Sequence, residues 1–155
     1  MLKLLSDVDK SGGIVSIAQL LSQEHWRDSI ELALRYRSLV RVRNGWVASQ
    51  SVPVPILAAW RVGGVLACRS AVEYQFGREV GDPLHILVPA NSARLRSPKD
   101  HRRPLGADEA VIHWSATIFS QLVVPLGAAL AQAGQCRQAS RNRETSRVED
   151  SGDNL

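Results

Sequence analysis

The chain has 155 residues, room for one domain or a small module with part of a second, which excludes a multidomain enzyme. Hydrophobic residues are 45% and charged residues 22%, the balance of a chain that folds around a core, so wholesale disorder is excluded too. The net charge of +4 is carried by sixteen Arg against three Lys, a bias that suits phosphate or base contact but that a GC-rich genome also produces.

Leu2, Leu4, Leu5 and Val8 are spaced for a short first helix that stops near Gly12-Gly13. Ser16 then caps a second helix from Ile17 to about Gln23, with Gln19 placed for a capping box. A third, from Arg27 to Ser38, puts Ile30, Ala33 and Leu34 on one face; Trp26 is expected to reach that side, with Arg37 near it and Asp28, Glu31 and Arg35 pointing away. The period changes at Leu39, where apolar and basic residues alternate around Asn44-Gly45, a strong hairpin signal. Three short helices followed at once by a basic hairpin is the layout of a winged helix-turn-helix.

Beyond Val52, two helices are predicted at Pro55 to Val62 and Ser70 to Phe76, divided by Gly63-Gly64, then two paired strands at Leu84 to Pro89 and Ala110 to Trp114. Val123 to Gln135 reads as a helix with Pro125 in its first turn. After Cys136 there is almost no apolar anchor, which predicts disorder. The expected class is α+β: a winged helix-turn-helix at 1–50, a small α/β domain at 51–136 and a disordered tail at 137–155. The longest apolar runs, Ser51 to Cys68 and Gln121 to Cys136, are too interrupted to span a bilayer, and Ser6, Asp7 and Asp9 follow Met1-Leu-Lys-Leu-Leu too soon for a leader. A cytoplasmic protein without membrane contact is expected.

Charge is concentrated in two segments. Arg27 to Arg43 carries +3, Arg94 to Arg103 carries +4, and the remainder −3, an uneven pattern suited to a polyanion. Within the first, Arg27 and Ser29 near the start of the third helix and Arg35 on its outer face are candidates for base or near-phosphate contact, while Arg41, Arg43 and Asn44 in the wing should hold phosphates. Arg37 is equally well explained as a side chain at the core edge. Arg94, Arg96, Lys99, Arg102 and Arg103 form either a second basic patch or a solvated connection.

No catalytic constellation emerges. His25, His85, His101 and His113 have no helical metal-ligand spacing and no Cys at ligand spacing, and His85 and His113 read as ordinary strand residues. Cys68 and Cys136 are far apart and read as small buried thiols, so neither a zinc site nor a disulfide framework is expected. No phosphate loop or nucleophile elbow occurs, and Glu73, Glu79 and Asp82 lack the carboxylate-x-Lys continuation of a metal-dependent nuclease. The expectation is no enzyme, no metal and no cofactor.

Four stretches carry a resemblance: Gly12-Gly-Ile-Val-Ser-Ile-Ala-Gln-Leu20, Ser38-Leu-Val-Arg-Val-Arg-Asn-Gly45, Ala67-Cys-Arg-Ser-Ala71 and Val111-Ile-His-Trp-Ser115. In order and spacing, over about residues 5 to 136, they resemble the actinobacterial AbiEi-type antitoxins of type IV toxin-antitoxin systems. The chain departs from that family's pattern at Ser38 (usually Gly), Val47 (aromatic) and Cys68 (commonly His), and it resembles a truncated member without the C-terminal endonuclease-like domain. The resemblance implies a DNA-binding transcriptional regulator whose winged helix binds double-stranded operator DNA and whose second domain serves antitoxicity, opposing a nucleotidyltransferase-like toxin without stably binding it. The rival readings are a winged-helix protein-interaction module and an inactive remnant of a longer protein.

Overall fold

The computed structural model describes residues 1–116 and 121–150. Leu4 and Val8, one turn apart, bury the inner side of α1 (Leu2–Lys10). Gly12 ends it at φ 89°, and the amides of Gly12 and Gly13 donate to the Asp9 and Val8 carbonyls, each at 3.0 Å. After β1 (Ile14–Ser16), the Ser16 hydroxyl caps α2 (Ile17–Ser22) by accepting from the Gln19 amide at 3.1 Å. In α3 (Arg27–Arg35), Ile30 and Ala33 are buried.

Two expectations for α3 are corrected. The helix stops at Arg35, not Ser38, because Arg37 turns to φ 56° and the amides of Arg37 and Ser38 close on the Leu34 and Ala33 carbonyls; Arg37 is therefore exposed. Trp26 is 78% exposed. Its backbone is extended (φ −80°, ψ 140°), so the helical angle that assigns it to the buried face does not apply.

β2 (Leu39–Arg43) and β3 (Trp46–Ser49) form the hairpin expected at Asn44-Gly45, with Gly45 at φ 79°. β1 pairs with the far side of β3, giving an antiparallel sheet of order β1-β3-β2. Its register slips between Arg41 (opposite Val47) and Arg43 (opposite Trp46). This bulge turns the adjacent Val42 and Arg43 to the same side. Val15, Leu39 and Val47 pack on the helices with Leu4, Leu20 and Ile30. The opposite face, with Ile14, Val42 and Ala48, is covered by α4 (Val54–Val62), and the Trp46 ring meets Trp60 at 4.7 Å.

After α4 the chain forms β4 (Val65–Leu66), α5 (Cys68–Gln75), β5 (Leu84–Pro89) and β6 (Ala110–Ser115). The second sheet has the order β4-β5-β6, with β5 and β6 parallel across a connection that contains the basic segment Arg94 to Arg103. β5 is buried from Leu84 to Val88, as a central strand's near-continuous apolar run implies. Gly64 lets α4 turn into this sheet: a Cβ there would run into the Leu87 carbonyl.

Among the described residues, six helices and two three-stranded sheets make a mixed α+β fold. α6 (Leu126–Asp150) corrects the last boundary, since it continues through most of the segment for which composition predicts disorder. The lack of apolar anchors forbids burial but not an exposed helix, and Ala, Gln, Arg and Glu are good helix formers; residues 151–155 lie outside the described residues. Among those described, no helix is long and apolar enough to cross a membrane.

Candidate functional site

A cleft of about 240 Å³ runs between α3 and the β2–β3 turn. Arg27 and Glu31 line it from the helix and Arg41, Asn44 and Gly45 from the hairpin, over a floor that includes Ile30 and Leu34. The turn is held in place because the Ile17 amide, at the head of α2, donates to the Gly45 carbonyl at 2.8 Å. Of the residues expected to contact DNA, the fold therefore gathers Arg27, Arg41 and Asn44. Ser29 is half-buried and Arg35 is exposed at the far end of α3, and neither lines the cleft.

Arg43 does not share the side occupied by Arg41, as strict alternation would require. The bulge sends its guanidinium over Gly63, where a Cβ would come within 2.8 Å of Nη1, and Leu95 shares that spot. Burial, then the like charge of Arg96, lowers its pKa.

That neighbour belongs to the second basic segment, which packs on α4 and comes close to the first at Gly63, where Leu95 and Arg43 meet. The Arg96 amide donates to the Val62 carbonyl at 3.2 Å, and Arg61 of α4 donates to the Pro98 carbonyl at 3.5 Å. His101 then sits where the charges of Arg102, Arg61 and Arg41 all bear on it, opposed by Asp100; burial and those cations lower its pKa. Two basic segments about fifty residues apart thus approach each other at the edge strand β2, Arg96 near Arg43 and His101 near Arg41. Among the described residues, Arg27, Arg35, Arg41, Arg43, Arg94, Arg96, Lys99 and Arg102 make no ion pair. Arg103 differs: it lies 3.6 Å from Glu109 and donates to the Ser97 hydroxyl at 3.0 Å.

A second grouping was invisible in the sequence. Cys68, His85, His113 and Cys136 converge so that one ligand atom from each lies within 4.8 Å of all the others; Cys68 is a buried free thiol as expected, whereas Cys136 is only partly buried. The four come from the head of α5, from β5, from β6 and from α6. His85 Nδ1 is 3.1 Å from His113 Nε2 and 4.0 Å from Cys136 Sγ. Backbone bonds fix the junction: the Ala67 amide donates to the His85 carbonyl (2.9 Å), the His85 amide to the Ser70 hydroxyl (2.8 Å), and the Cys68 amide to Gln132 Oε1 (2.9 Å). Burial, the neighbouring His113 and Arg69 push the His85 pKa down to about 4; burial lowers that of His113 and raises that of Cys68. The sequence separations of 17, 28 and 23 residues match no ligand spacing, and the one available signal was that both cysteines and two of four histidines fall in or beside predicted regular elements.

Neither a scan against protein-family models nor a search of the curated proteins finds a match for this chain.

Proposed function

We propose that this protein is a DNA-binding regulator whose first half is a winged helix-turn-helix, with α3 entering the major groove and the β2–β3 hairpin lying along the backbone as the wing. The order α1-β1-α2-α3-β2-β3 supports that reading. The observation that carries it is the cleft between α3 and the hairpin that gathers Arg27, Arg41 and Asn44, with the second basic segment approaching the same edge strand at Arg43 and, through His101, at Arg41. Like charges that outnumber the carboxylates among them (Glu31, Asp100 and Glu109) raise the local potential and favour a polyanion. Arg27, Arg41 and Asn44 would hold the phosphates nearest the cleft, Arg96 and Arg102 would extend that contact, and Arg35 would reach a base edge. Together with the four sequence stretches described above, this favours the role of an operator-binding antitoxin of the AbiEi type.

The test is a titration of the full chain with a duplex from its own upstream region and a scrambled duplex, at several salt concentrations. With about four phosphates neutralised, affinity falls by about two to three decades between 50 and 200 mM salt. A flat salt response would sink the proposal. A protein partner is the second reading, favoured by the exposed Trp26 and Tyr36 at the two ends of α3, because aromatics are enriched at interfaces. In that case Trp26→Ala abolishes partner capture, and no duplex binds with salt sensitivity.

A further inference from the structure

We propose that Cys68, His85, His113 and Cys136 bind a single zinc ion that ties α5, both strands of the parallel pair and α6 together. The donor set is that of structural zinc, two thiolates and two imidazoles. With bonds of about 2.3 Å to sulfur and 2.0 Å to nitrogen, tetrahedral ligand atoms stand roughly 3.3 to 3.8 Å apart. The 3.1 Å and 4.0 Å separations bracket that span, and all four atoms fall within 4.8 Å. Shifts of less than an ångström would complete the shell.

The same compactness argues against a two-iron cluster, in which the cysteines and histidines bind different irons and stand further apart. Charge supports one divalent ion: two thiolates balance it, so a neutral centre lies where Cys68 and His85 are almost wholly buried. Cys68 also holds a left-handed backbone at φ 52°, a strained conformation for a non-glycine residue and one that tends to persist where a side chain must be aimed.

The experiment uses the full chain, purified under reducing conditions with any affinity tag removed. Elemental analysis should find about one zinc per chain, and replacement by Co²⁺ should give thiolate-to-cobalt charge transfer together with the visible bands of tetrahedral cobalt. Cys136→Ser and His113→Gln change half-exposed positions, leave the buried pair intact, and should each remove most of the bound zinc while far-ultraviolet dichroism is kept. Should either variant fail to fold, wild type decides: a strong chelator should raise the rate of thiol modification at least tenfold and lower the Tm by roughly 5 °C or more. Protein without zinc that gives no cobalt spectrum and whose thiols ignore chelator would overturn the proposal. So would a Cys68–Cys136 disulfide that persists in the metal-free chain isolated without reductant.

Discussion

At the scale of single residues, the cleft contains one group of the wrong sign. Glu31 lines it together with Arg27 and Arg41, so Glu31→Gln should strengthen binding to any duplex by about two- to fivefold in an anisotropy titration. Arg41→Ala should weaken binding to all sequences and reduce the salt slope by about one, whereas Arg43→Ala, starting from a side chain laid over Gly63, should weaken it less. His101 provides a pH test. Burial and the charges of Arg102, Arg61 and Arg41 hold its pKa below 6.5, with Asp100 opposing. A bound anion favours the imidazolium, so affinity should rise by up to about tenfold as pH falls from about 7 towards 5, and His101→Gln should remove that part of the rise. The sequence located the arginines but not their directions. Arg41 and Arg43 look equivalent in an alternating strand, and only the bulge separates them.

At the scale of elements, four helices end with the same backbone device. Gly12 after α1 and Gly77 after α5 take the left-handed position, whereas Glu24 after α2 and Arg37 after α3 occupy it with a side chain, at φ 65° and 56°. Glycine marks the ends of α1 and α5, and its absence after α3 let that helix be read three residues too long, although the end of α2 was read to within a residue without one. Arg37→Gly should therefore raise stability by about 0.5–1 kcal/mol in a denaturant melt, with the carbonyl at 37 still accepting from Gln50. Gly64 is the converse case, set by close approach. Gly64→Ala drives a methyl group into the Leu87 carbonyl and should cost at least about 2 kcal/mol in the same measurement.

At the scale of the whole molecule, the first sheet serves two layers, with helices α1 to α3 on one face and α4 on the other. Trp46→Ala, which removes the ring packed on Trp60, should cost about 2–3 kcal/mol and lower one cooperative transition rather than split it into two. Sharing of that kind was not legible, because periodicity reports which face of a strand is apolar but not what covers it. The meeting of the two basic segments and of the four sulfur and nitrogen ligands escaped for the same reason: each depends on how distant stretches pack, which no spacing along the chain records. One geometric consequence remains, at the far end of the chain. Cys136 is the last residue of α6, among those described, to pack on the core, and fourteen more residues follow it to Asp150, a rod of about 21 Å. A tilt of roughly 10° at its foot would sweep the tip through about 4 Å, so whatever grips that one thiol steers a lever arm.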